Sequence, residues 1–172
     1  MMGQHMNEHM EEYNEDCKND KNDKSDKNDN RDLYSSITSV FELQEQDLRT
    51  YSPLALAFLG DCVYDMVIRS IVVAQGNSGP GRLHRKKADI VKAPAQAKMM
   101  DALEDVLSED ELAIYKRGRN AHTNSKAKNA TDRDYHKATG FEALLGYLYL
   151  EHDTGRILEL IKLGLNKTGQ NI

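Results

Sequence analysis

The stretch from Ser52 to Gln75 sets the tightest limit on what this chain can fold into. Ser52-Pro53 puts a side-chain cap directly before a proline at the first helical position, a pairing that opens helices. Leu56, Leu59, Val63, Met66, Val67 and Ile71 then recur at steps of three and four, the period of an α-helix. Ala-rich and Val/Ile-rich flanks leave this helix apolar nearly all round, so it should run through a core. The loop of residues 76–81 ends it.

The same period continues downstream. A second helix is predicted from about Pro80 to Val91. Pro94 lacks an amide hydrogen and restricts Ala93, which predicts a break or kink before helix resumes to Leu107. Ser108-Glu109-Asp110-Glu111 spells a capping box for a short helix through Arg117. Residues 118–131 are polar and rich in Gly, Asn and Lys, hence a loop. Further helices are expected from about Asp132 to Glu151, and from Asp153 or Thr154 to about Leu165. Strand signal is negligible, because Val72-Val73 is too short and sits at a helix end. The predicted fold class is all-α.

Charge divides the chain. Residues 1–32 carry ten acidic and five basic side chains, which accounts for the whole net charge of −5. The rest balances at zero, so the acidity belongs to a tail and does not argue against a nucleic-acid partner. Between Lys18 and Asn30 a basic–polar–acidic triplet repeats without one apolar residue. Such a segment cannot bury enough surface to offset the entropy of ordering, and disorder is expected. It lacks the glycine and closing glutamate of an EF-hand loop. The predicted organisation is a tail at 1–32, a lead-in at 33–51 and a folded domain at 52–168. No run approaches the roughly 18–20 apolar residues that cross a bilayer. The acidic N-terminus does not read as a secretory signal. Cys17 and Cys62 stand in unlike contexts that suggest no disulfide, and a reducing, cytoplasmic setting fits them.

Two acids interrupt apolar helix surfaces: Asp61 in Leu56-Ala57-Phe58-Leu59-Gly60-Asp61 and Glu142 in Phe141-Glu142-Ala143-Leu144-Leu145-Gly146. A carboxylate there is costly unless it is paired or bound to a cation. Asp61, Asp65 and Arg69 share one helix face, so an internal salt bridge is one explanation. The glycines point to another. Gly60 precedes Asp61 and Gly146 follows Glu142 by one turn, and glycine costs a helix about 1 kcal/mol against alanine. Close approach of a second helix would compensate. Two carboxylates on such helices make a hard-oxygen site for Mg²⁺, with Mn²⁺ as substitute, and such an ion can activate water for attack on a phosphoryl group.

Basic residues flank this pair. Arg82, Arg85, Lys86 and Lys87 fall on the second helix; Arg117, Arg119, Asn120, Lys126 and Lys128 lie in or near the polar loop. Charge runs are usually solvated faces, but donors in a Gly/Asn-rich loop also suit a phosphate backbone. Few aromatics interleave them, so base stacking is poorly supported and recognition of duplex RNA by shape fits better. His84 and His136 match no zinc spacing; His136 lies in register with residues 139 and 142.

Leu56-Ala57-Phe58-Leu59-Gly60-Asp61 and Glu142-Ala143-Leu144-Leu145-Gly146 resemble the two signature helices of the ribonuclease III catalytic domain. The likeness is closer to its reduced branch, the Mini-III ribonucleases, which lack the double-stranded-RNA-binding domain. There the stretches at 52–64, 83–86, 117–120 and 139–149 recur in order, so the resemblance covers about residues 50–168. It implies a metal-dependent endoribonuclease of double-stranded RNA that leaves 5′-phosphate and 3′-hydroxyl ends with short 3′ overhangs. It also implies a homodimer that matures the large-subunit (23S) ribosomal RNA precursor. Asp61 and Glu142 correspond to catalytic, metal-holding acids. Phe58 corresponds to an aromatic residue inserted into the partner subunit, or is a core residue. Further acids of ribonuclease III proper are replaced here by Leu54, Ala57 and Thr139. Thr139 could hold a water beside the metal or be a neutral filler. The thinned acid set leaves a second reading open, a non-catalytic duplex-RNA-binding or ribosome-assembly module on the same fold.

Overall fold

The computed structural model describes residues 32–44, 46–77, 79–122 and 131–170. Residues 1–31 of the predicted tail, and Lys126 and Lys128 of the polar loop, lie outside them. Among the described residues there are seven α-helices and no strand. They are α1 (Leu33–Val40), α2 (Pro53–Ala74), α3 (Pro80–Ala88), α4 (Ala93–Leu103), α5 (Glu109–Arg119), α6 (Asp132–Leu150) and α7 (Thr154–Lys167), with short 3-10 turns at Leu48–Thr50 and Glu104–Val106.

Local chemistry explains most of the boundaries. The Ser52 hydroxyl accepts from the Ala55 amide at 3.1 Å and Pro53 opens α2. Pro94 does not kink a longer helix; it occupies the first turn of α4, where a missing amide hydrogen costs nothing. The capping box forms in full: Ser108 Oγ accepts from the Glu111 amide at 3.2 Å and Glu111 accepts from the Ser108 amide at 2.8 Å. In the lead-in, Asp32 caps α1 by accepting from the Ser35 amide at 2.8 Å. The Tyr34 ring lies 5.5 Å from that of Tyr149 at the end of α6.

Helix α6 is the axis of the domain, packed by α2, α4 and α5. Of its nineteen residues, ten are buried, which is why its sequence is apolar on several sides. Tyr64 of α2 meets Phe141 edge-on at 5.6 Å, and its hydroxyl donates to the Ile90 carbonyl at 3.2 Å. Arg156 ties α7 to α5, donating to Glu111 at 2.8 and 3.0 Å and to the Val106 carbonyl at 2.8 Å. Glu111 thus serves as helix cap and ion-pair partner together, which is how a carboxylate comes to be buried there.

Candidate active site

The α2–α6 crossing has no room for a side chain. A Cβ on Gly60 would fall on the Glu142 carbonyl oxygen and 2.7 Å from the Gly146 amide nitrogen; one on Gly146 would fall on the Leu56 carbonyl oxygen. The two backbones therefore touch. This contact sets Asp61, the residue after Gly60, beside Glu142.

Their electrostatics show how close the two acids are. Burial pushes the Glu142 carboxyl from its ordinary 4.5 up to about 8; the Asp61 charge adds to the rise, and the Gln96 amide opposes it. Asp61 stands at the more open rim. Burial raises it too, the Asp65 charge adds to this, and Lys87 pulls the other way. Asp65 does form the helix-internal pair with Arg69 and takes Lys87 as well. The salt bridge that the spacing allowed thus belongs to Asp65. Neither Asp61 nor Glu142 has an ion-pair partner among the described residues.

The folded state keeps the Glu142 proton where the unfolded chain has lost it. Stability from this group is therefore full below about pH 4.5 and drains away as pH rises towards 8. Glu142→Gln removes that dependence. In metal-free buffer the variant should gain over the native protein by on the order of several kcal/mol at pH 8 and little at pH 4.5. Denaturant melts at both pH values check this, and equal gaps at the two would contradict it.

Two carboxyl groups pressed together with no ion-pair partner of their own suit a hard divalent ion, which would displace the Glu142 proton and fill its remaining positions with water and substrate oxygens. Among the described residues no group of three or more His, Cys, Asp or Glu side chains could hold a metal, so this pair is the acidic donor set the chain could offer an ion here. Thr139 is buried and its hydroxyl donates to the Tyr135 carbonyl at 3.0 Å. That commits its hydrogen within the helix and leaves the oxygen lone pairs.

The predicted basic residues separate. Arg82 and Arg85 are exposed on α3, and Lys86 lies on the same helix. Lys87 is turned inward, its side chain 15% exposed and paired with Asp65. It neighbours the acids instead of joining the outer basic face. Arg117 donates to the Tyr51 carbonyl at 3.2 Å, and Arg119 lies 5.6 Å over the Tyr115 ring. Arg119 and Asn120 line an open basin with His122, Arg133, His136 and Lys137. Arg133 belongs to the basic cluster around the polar loop; Lys137 carries no such signal in the sequence, because its immediate neighbours there are His136 and Ala138. Phe58 is 78% exposed, which rules out the core reading in this chain.

Comparison with known proteins gives the site its class. The ribonuclease III domain family matches residues 54–153. The chain belongs to the ribonuclease III family and is an endoribonuclease of double-stranded RNA. Nucleases of this family are generally divalent-metal dependent. Mini-ribonuclease 3 of Clostridium tetani is 41% identical over 73% of this chain and 83% of its own length. Mini-ribonuclease 3 of Enterococcus faecalis is 42% identical over 73% and 96%. These relatives place the chain in the Mini-ribonuclease 3 branch. A crystal structure of a Fusobacterium nucleatum protein, 30% identical, covers 71% of this chain and 98% of that one with a TM-score of 0.64. No helix among the described residues is long and apolar enough to cross a membrane.

Proposed function

We propose that Asp61 and Glu142 are the catalytic acids, that together they hold Mg²⁺, and that the chain works as a cytoplasmic homodimer on the large-subunit ribosomal RNA precursor. The observation that carries this is the backbone contact at Gly60 and Gly146, which forces two unpaired carboxylates onto one spot. When bound, a divalent ion supplies an activated water and positive charge for the scissile phosphate. The protein's own part is placement. Asp61 at the rim faces the substrate side, while half-buried Glu142 anchors the ion from below. Arg82 and Arg85 on α3, with Arg119 and Asn120 at the basin, offer donors to phosphates of both strands.

The dimer reading rests on α2. Leu54, Phe58, Cys62 and Met66 follow at steps of four and are all exposed, an apolar stripe along the helix that carries Asp61. A stripe of this kind on a soluble domain marks a contact surface. A second copy seated there would put two Asp61–Glu142 pairs in one assembly.

The test is end-mapped cleavage of a long duplex drawn from the ribosomal RNA precursor, with Mg²⁺ and with EDTA. Staggered cuts on both strands, with 5′-phosphate ends and only when metal is present, are expected. A duplex that is retarded at low salt but never cut, even with Mn²⁺, would decide for a binding module instead. Cuts on one strand only would reject the paired sites.

A further inference from the structure

Gln96 lies in the first turns of α4, within Ala95-Gln96-Ala97 and ahead of Met99, Met100 and Leu103. It is 1% exposed. Its neighbours on that face are apolar, and a well-packed Leu or Met would serve the core there. The amide lies close enough to the Glu142 carboxylate to act on it, yet its Nε2 makes no hydrogen bond of ordinary geometry. A buried amide left so costs about 1–3 kcal/mol. Burial, an apolar setting and a missing partner together mark a group kept for something other than stability.

We infer that Gln96 is the positioning residue for Glu142: its Nε2 hydrogen donates to the Glu142 carboxylate when that side chain turns to hold a divalent cation. One carboxylate oxygen then faces the cation beside Asp61 and the other is held by the amide. This suits a site with so few acids. With only two carboxylates, a Glu142 free to rotate would present an oxygen to the ion part of the time; an amide behind it holds the productive rotamer. Outer-shell partners of metal-holding side chains typically contribute about 10–100-fold in affinity or activity. The proposal rests on Asp61 and Glu142 being the ion-holding pair.

The experiment measures Mn²⁺ binding to the full chain without RNA, by electron paramagnetic resonance of the free ion, for native protein, Gln96→Met, Gln96→Asn and Glu142→Gln. Gln96→Met keeps the volume and removes the orphaned amide. It should melt at or above the native temperature without metal, yet bind Mn²⁺ about 10-fold or more weakly. With RNA, kcat should fall while duplex affinity in metal-free buffer stays the same, since Gln96 touches neither basic face. Gln96→Asn keeps an amide but withdraws it by one methylene, and should show the same loss; it serves if the Met variant does not fold. Folded Gln96 variants that bind Mn²⁺ within about twofold of native, while Glu142→Gln loses binding, would overturn the role of Gln96 alone. Native-like Mn²⁺ binding by Glu142→Gln would instead remove the ion-holding pair on which the proposal stands.

Discussion

Asp61→Asn and Glu142→Gln should each lower the cleavage rate of duplex RNA by about a thousandfold or more, on the order of 4 kcal/mol in the activation barrier. The size follows from the short donor set. In a site rich in acids, loss of one carboxylate can be shared among the rest. Here no group of three His, Cys, Asp or Glu side chains that could hold a metal is present among the described residues, so either substitution would remove half of the charge proposed to hold the ion. Neither change should harm folding, because each replaces a carboxylate by an amide of the same shape at a place where the charge is unpaired and disfavoured. Single-turnover cleavage with melting curves on the same samples checks both halves. Folded variants cutting at the native rate would show that the chemistry lies elsewhere.

The second large effect is on the scaffold. Gly60→Ala should destabilise the protein by about 3 kcal/mol or more, and Gly146→Ala similarly, because the added methyl meets backbone and not a side chain that could swing away. For a chain of this size that is a drop of roughly 6–12 °C in melting temperature. Activity should fall further than stability alone explains. The helices can admit the methyl only by separating, and a shift of about 1 Å in reacting groups can cost about a hundredfold in rate. Gly81→Ala is the control. Nothing lies within 4 Å of a Cβ there, and a glycine inside helix α3 should gain about 0.5–1 kcal/mol on becoming alanine. If Gly60→Ala melted with Gly81→Ala, the backbone contact would not be holding the two helices.

How far the sequence carried the reading differs from element to element. Helix α2 was legible almost to the residue, because its cap, proline and apolar period are all local chemistry. The capping box at Ser108 was legible for the same reason. Helix α1 was not: its eight residues have no fully buried position, so its period is faint and its place depends on Tyr149, Asp32 and His152. The break expected at Pro94 is present, since α3 ends at Ala88 and Pro94 sits in the first turn of α4, where a missing amide hydrogen costs nothing. Lys87 shows the limit most clearly. In sequence it belongs to a basic run with Arg85 and Lys86; in space it pairs with Asp65 across 22 positions and reaches Asp61 only through its charge.

For Asp61 and Glu142 themselves, sequence alone determined that each was an acid in an apolar helix beside a glycine, and that a close helix approach would explain the glycines. Those are properties of residue type and spacing, which act over one or two turns. Only the tertiary structure decided that the two glycines meet each other, that Asp65 pairs with Arg69 and Lys87, that Phe58 faces outward and that the buried Gln96 amide stands by Glu142. Such facts depend on contacts between segments tens of residues apart, set by how whole helices pack, and no local pattern encodes which groups end up face to face.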